Sequence, residues 1–435
     1  MNYLISSMPI GMFTWYGIKK WSLMLLILSA SPVFAENLNL ASAVNLMSSH
    51  NPSLKIFTFK QSALKGSSYS ANLKPAIELG FEAENFTGSS PYNGFSQSEF
   101  TVSISSVIEL GDKRNARINV VSKQTQLLDA QRHIKSLEVI AQLTRSFIQT
   151  LATQERIRLA DESVELASDI YQAVKNKAAV GAISDAEVKR AFAALKQAQL
   201  NRQSEQQKLQ AQKVVLSLYW AEKHPKFSNV TGELFNFGEI QNLNTLFEKV
   251  ERSSLLNTLM TQQQLAESQF RLAQTQSKSD LNWTIGIRRI EETNDSVLTA
   301  GFSMPLFKSK RNSGSLIAAQ AAIDQSVAEQ AVALLDLYEQ VYQIYSLRKL
   351  GITRFDTLKT DIIPALSTAL NLTKAAYLDG RYGYLDYLAA RQELITAKKT
   401  LIDTAENILI YGVELEQITA QPIYLKDPQT QGEKS

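Results

Sequence analysis

One plan is written twice in this chain. A helical stretch, two short strands, a long helix, a turn and a further helix follow one another, and the same order returns about 200 residues later. In the first copy Asn51-Pro52-Ser53-Leu54 opens the helical stretch, strands fall near 76–85 and 98–109, and Gly111-Asp112-Lys113-Arg114-Asn115 leads into the long helix. In the second, Ser253-Ser254-Leu255-Leu256, strands near 281–290 and 296–305, and Lys308-Ser309-Lys310-Arg311-Asn312 take the matching places. The shared Lys-Arg-Asn is the sharpest match. The expected division is a leader over 1–35, a first repeat over 36–240, a second over 241–420 and a tail over 421–435.

The helical parts are too long for a compact domain. Between Asp112 and Lys177 there is no proline, and glycine stands only at the start, Gly111, so the run spans about 95 Å at 1.5 Å per residue. Its counterpart runs from about Arg311 to Leu378, with a kink expected at Pro364. Both carry coiled-coil spacing. Leu127, Ile134, Ala141 and Ile148 form one row beside Leu137, Leu143, Phe147 and Leu151. Val327, Ala331, Leu334, Tyr338, Val341 and Tyr345 form another, and Leu388, Ile395, Ile402 and Leu409 run beside Leu394, Leu401, Ile408 and Leu415. Two apolar rows on one helix require neighbours on two sides. Rods of this length span a gap or build a tube.

The strands alternate cleanly between an apolar and a polar face. Ile77, Leu79, Phe81 and Ala83 oppose Glu78, Gly80, Glu82 and Glu84, while Phe100, Val102 and Ile104 oppose Thr101, Ser103 and Ser105. Leu281, Trp283, Ile285 and Ile287 oppose Asn282, Thr284, Gly286 and Arg288, and Leu298, Ala300, Phe302 and Met304 oppose Thr299, Gly301 and Ser303. Each strand has about the ten residues that a tilted strand needs to cross a bilayer. Four strands cannot close on themselves, and a membrane tolerates no open edge, so several chains must pool their strands. Three chains would supply twelve, with Glu78, Glu82, Glu84 and Arg288 lining a wet interior.

Export is also expected. Lys19 and Lys20 precede the apolar run Leu23-Met24-Leu25-Leu26-Ile27-Leu28, and Val33-Phe34-Ala35 offers small residues for cleavage, which places the mature start near Glu36. Past Ala35 no apolar stretch reaches helical spanning length, so any insertion uses strands. The absence of cysteine excludes disulfides, thiolate metal sites, cysteine nucleophiles and a lipidated N-terminal cysteine. The formal charge of +3 loses two lysines with the leader, leaving +1, and no nucleic-acid footprint appears.

At this point the residues resemble a known family. Glu84-Asn85-Phe86-Thr87-Gly88 through Ile108-Glu109-Leu110-Gly111-Asp112-Lys113-Arg114, with Ala116-Arg117, is similar to the TolC-like outer-membrane efflux family, and to its heavy-metal cation branch, the CzcC-like proteins. Gly286-Ile287-Arg288-Arg289, Phe302-Ser303-Met304-Pro305-Leu306-Phe307 before Arg311-Asn312, and Ala376-Tyr377 with Gly380 and Leu385-Asp386 extend the match over the whole mature chain. The resemblance implies a mainly α fold with β: a homotrimer whose twelve strands form a transmembrane barrel in outer-membrane lipid. Its duplicated helices would form a coiled-coil tunnel in the periplasm, meeting an adaptor (membrane fusion) protein and an inner-membrane RND-type pump. The function implied is a passive export duct, with heavy-metal cations as cargo. Drug efflux, type I secretion and an exported coiled-coil structural protein are the alternatives.

No catalytic or cofactor constellation is present. His50, His133 and His224 are far apart and lack metal-ligand spacing, and there is no G-x-S-x-G, P-loop or dinucleotide glycine pattern. The informative places are the turns between long helices, Val180-Gly181-Ala182-Ile183-Ser184-Asp185 and Asp379-Gly380-Arg381-Tyr382-Gly383-Tyr384-Leu385-Asp386. Gly181 and Gly380 suit a positive-φ helix end, and Ser184 or Asp185 suits the next N-cap. The resemblance makes these turns a periplasmic mouth. It puts Asp386 in an acidic constriction ring and Tyr377 among the interactions that hold the mouth shut, with Arg381 and Asp185 as partners by charge. The family's second acidic position falls on Ala389.

Overall fold

The structure is a computed structural model and describes residues 36–420 apart from 91, 93 and 240. The expected leader over 1–35 and tail over 421–435 lie outside the described residues. In chain order the elements are β1 (Glu36–Asn39), α1 (Leu40–His50), α2 (Pro52–Asn72), β2 (Glu78–Glu84), β3 (Glu99–Ile108), α3 (Lys113–Ala179) and α4 (Asp185–Leu218). There follow β4 (Phe227–Thr231), α5 (Leu243–Val250), α6 (Ser254–Gln276), β5 (Leu281–Ile290), β6 (Asp295–Ser303), α7 (Lys308–Arg311) and α8 (Ser313–Thr357). A π-helical turn (Leu358–Ile362), α9 (Ile363–Leu378) and α10 (Tyr384–Thr419) complete the chain.

The long helices form as their composition dictates. α3 runs 67 residues, about 100 Å, without a break. In the second half the expected single kink at Pro364 is a local change of pitch instead. Pro364 cannot donate to its helix, and the turn before it widens so that the Ile363 N–H reaches the Leu358 carbonyl, five residues back. Asn51 caps α2 by accepting from the Ser53 N–H at 2.9 Å, with Pro52 at the first helical position. Ser253 caps α6 in the same manner, accepting from the Leu256 N–H.

Two ends of the molecule are separated by a central core. Midway, Met47 of α1, Leu143, Phe147 and Leu151 of α3, and Ile402 and Ile408 of α10 pack around a two-stranded parallel ladder of β1 and β4. Gln154 closes the edge of that ladder, donating to the Val230 carbonyl and accepting from the Val230 N–H, each at 2.9 Å. On one side of this core α2, α3, α6 and α8 lie side by side in that order and lead into the second sheet; on the other, α3–α4 and α9–α10 form two hairpins. The row expected on α8 is only half realised. Val341 is buried, but Val327 and Ala331 face outward, as do Ile317, Val332 and Leu335. α2 buries no residue at all. Both helices are edges of the layer, so a single chain leaves their apolar residues without neighbours.

The second sheet is antiparallel in the order β2-β3-β5-β6, with β2 and β6 as its edges. β5 spans the expected 281–290, β2 and β3 are slightly shorter than expected, and β6 begins one residue early and ends at Ser303, ahead of Pro305, which has no N–H for the ladder. Register puts Leu79 beside Ile104, Ile104 beside Ile285 and Ile285 beside Ala300 on one face. That face has no cover: Phe302 is 83% exposed, Leu79 78% and Leu298 76%.

Candidate functional site

Chemistry-bearing side chains gather at the two ends. At the sheet end, register brings Glu82 opposite Thr101 and Thr101 opposite Arg288, all on the polar face. Arg288 ties three strands together. It lies 2.9 Å from Glu84 of β2 and 2.7 Å from Glu99 of β3, and its Nε donates to Thr101 Oγ1 at 3.0 Å. Glu78 stands apart from this group, opposite Ser105 at the end of the strand nearer the helices. The middle of the face is kept small. A Cβ on Gly286 would lie 2.8 Å from the Val102 carbonyl oxygen, so no side chain fits where these strands approach. Glu99, absent from the sequence-based set, supplies half of Arg288's charge pairing; its position at the start of β3, on the same parity as Thr101, is the signal that identifies it.

Where the sheet meets the helices, Asp280 collects groups from both repeats. It forms ion pairs with Lys113 and, at 3.5 Å, with Lys308, and it accepts from the Leu110 N–H at 3.2 Å. Burial opposes ionisation of this carboxyl, but the hydrogen bonds from Lys113 and Leu110 and the two ammonium charges outweigh it and hold its pKa below the ordinary value. The repeated Lys-Arg-Asn thus serves unequal ends. Lys113 is buried at the node, whereas in the second copy Lys308 takes the corresponding role and Asn312 donates to the Ala273 carbonyl.

At the hairpin end the two turns are built alike. Gly181 has φ +75° and Gly380 φ +79°, and no atom lies within 4 Å of a Cβ added to either, so backbone conformation alone requires glycine there. Ser184 occupies the N-cap position of α4, but its side chain makes no capping bond. In the second turn Asp386 reaches back, its Oδ2 accepting from the Gly383 N–H at 2.9 Å. Asp185, Arg381 and Asp386 are exposed.

Within one chain Arg381 pairs at 2.8 Å with Asp379, two residues away, which costs less ordering than reaching Asp185 on the other hairpin. Tyr377 lies inside the structure rather than at its rim. With Tyr384 and Tyr387 it forms an aromatic cluster, ring centroids 6.3 and 6.4 Å from that of Tyr377, packed on Ile170 and Val174 of α3 and Ala191 of α4. Burial pushes all three phenol pKa values up. Tyr384, Tyr387, Arg391 and Leu394 share one face of α10, a spacing legible in the sequence but not singled out from it.

No group of three or more His, Asp or Glu residues among the described residues is placed to hold a metal ion. His50, His133 and His224 are all exposed. No helix among the described residues is long and apolar enough to cross a membrane.

Comparison with known proteins fits this architecture. The chain is 25% identical over 374 residues to the cobalt-zinc-cadmium resistance protein CzcC of Cupriavidus metallidurans, covering 85% of this chain and 88% of that protein. Among solved structures it superimposes on CusC with a TM-score of 0.74 at 14% identity, covering 87% of this chain and 91% of that one. It superimposes on the open state of the MtrE outer membrane channel of Neisseria gonorrhoeae with a TM-score of 0.70 at 15% identity, covering 90% and 93%. The model of one family, outer membrane efflux protein, matches residues 51–222 and again residues 249–421, most of both halves, and the chain belongs to that family.

Proposed function

We propose that this outer-membrane efflux protein works as a passive duct for heavy-metal cations, closed from three copies of the chain. The observation that carries the reading is the four-stranded sheet, apolar and uncovered on one face, charged on the other, and open at both edges. Lipid satisfies the apolar face, and water the polar one. β2 and β6 run in opposite directions, so β6 of one copy can continue the antiparallel ladder onto β2 of the next, and twelve strands close without an edge. The outward apolar residues of α2 and α8 stand below those same edges and would meet in the same seam. In this arrangement Glu78, Glu82, Glu84 and Arg288 line the barrel lumen, and Gly181, Asp185, Tyr377, Gly380, Arg381 and Asp386 surround the periplasmic mouth. The mouth is where an adaptor and an inner-membrane RND-type pump would deliver cargo. The metal assignment rests on the likeness to the cobalt-zinc-cadmium resistance protein.

Two measurements test this. Mass determination in detergent should give a trimer, and a stable water-soluble monomer would overturn the duct. Loss of the gene should sensitise cells to zinc, cobalt or cadmium, with resistance restored by the intact chain; sensitisation to organic drugs alone would move the cargo to another class.

A further inference from the structure

Near the mouth a side chain that the turn motifs do not contain links the two helix hairpins of one chain. Lys177, in the last turn of α3, donates from Nζ to the Tyr377 and Leu378 carbonyls, each at 2.8 Å, and its ammonium lies 4.8 Å from the centroid of the Tyr377 ring. Those carbonyls are the last of α9, where the helix dipole is negative and intrahelical donors run out. The Ala375 and Ala376 carbonyls accept from Asp379, Arg381 and Tyr382 of the turn and the Tyr377 carbonyl accepts also from the Gly380 N–H at 3.1 Å, which leaves the Leu378 carbonyl to Lys177.

Beneath this contact polar atoms are set into the cluster of Tyr377, Tyr384 and Tyr387 with Ile170, Val174 and Ala191. The hydroxyls of Tyr377, Tyr384 and Tyr387, and Nε and Nη1 of Arg391, are buried without a hydrogen-bond partner. Above this cluster the bonds made by Lys177 tie the last turn of α3 to the last residues of α9.

We infer that Lys177 is a staple between the two hairpins that restrains the mouth, and that it acts on the backbone and ring face of Tyr377, not on its hydroxyl. Hairpins tied near their ends cannot splay, and a tunnel whose ends cannot splay stays narrow there. The inference rests on the duct reading, but fails separately from it: a trimer that conducts and ignores Lys177 would sink the staple alone.

The test is single-channel conductance of the full chain in planar bilayers, with trimer yield as the control for assembly. Lys177→Met keeps the aliphatic stem and removes the donors and the charge; conductance should rise severalfold. Lys177→Arg keeps donors and a charge that stacks on the ring, and should conduct as the unmodified protein does. Should Lys177→Met not assemble, Lys177→Gln, which retains donors but no charge, should give an intermediate rise. Unchanged or lower conductance in the Met or Gln variant would overturn the proposal.

Discussion

Lys113, the first residue of the longest helix, forms an ion pair with Asp280, the residue that precedes the fifth strand. The contact crosses from one repeat to the other where sheet gives way to helices. The Lys113 ammonium also donates to the Lys278 carbonyl at 2.8 Å, and Gly111, at φ +82°, brings the chain so close to Lys278 that an added Cβ would lie 2.3 Å from its Cδ. The junction is thus fixed by a charge pair and by a turn that only glycine makes without strain.

Replacing Asp280 with Asn leaves the Lys113 ammonium, whose side chain is 6% exposed, without a counter-charge. The expected cost is about 3 kcal/mol, the scale for breaking a largely buried pair from one side. The sign with pH follows from the depressed carboxyl. Its contribution to stability is complete above the ordinary value of 3.8 and is lost as pH falls through the lower folded value. Thermal unfolding of the detergent-purified protein should show the Asn variant melting lower at pH 7 and the gap narrowing only in strong acid. A gap that closed near pH 6 would point to another group.

A second prediction concerns the polar face of the sheet. It carries Glu78, Glu82, Glu84, Glu99 and Asp295 against Arg288, five formal negative charges less one positive, or −4 per chain. With this face lining the pore, Arg288→Gln removes the one opposing charge and should raise cation preference. Glu99→Gln frees the guanidinium from one of its two carboxylates and should lower it. The reversal potential in a salt gradient reads both shifts, and equal potentials in the two variants would place this face away from the pore.

The sequence carried the strand faces because side chains in a strand alternate with a period of two, so Leu79, Phe81, Ile285 and Ile287 could be assigned to one face before any pairing was known. The long helices were legible for a similar reason, through rows of apolar residues and the absence of proline. The ladder of β1 and β4 was not. Its strands are four and five residues long, and it pairs Leu38 with Val230 across most of the first half. Segments so short hold no periodicity, and only tertiary packing selects them. At the mouth the turn glycines were plain from their φ requirement, whereas Lys177 was not, since its partners are backbone carbonyls that leave no mark in the sequence. The Arg381–Asp379 pair within the turn is not legible either, since charge complementarity alone cannot rank Asp185 against a nearer Asp379.

Asp386 has two roles to separate. Its carboxylate accepts from the Gly383 N–H, which ends the turn, and it is exposed where three copies would bring three such groups near one another. Asp386→Asn retains an acceptor for Gly383 and removes the charge; Asp386→Ala removes both. Block of single-channel current by multivalent cations should fall equally in the two variants, because it depends on charge. Block lost in the Ala variant alone would assign the effect to turn geometry, and block retained in both would move the acidic ring to Asp185 or Glu187.

The last prediction is that this subunit conducts metal ions without binding them tightly. Selective capture of zinc, cobalt or copper calls for thiolates or clustered imidazoles. The chain has no cysteine and three histidines, and those three stand exposed on separate elements. The carboxylates of the polar face and of the mouth give weak sites for hard cations, and Arg288 already occupies Glu84 and Glu99. Weak sites suit a duct, because throughput rises when cargo leaves as readily as it enters. Calorimetric titration of the purified channel with zinc, cobalt and copper(II) should therefore show no stoichiometric site of micromolar affinity. A variant with all three histidines replaced by alanine should support metal resistance in cells as well as the unmodified chain does. A tight site, or resistance lost at normal expression and assembly, would place the choice of cargo in the channel and not in the proteins that feed it.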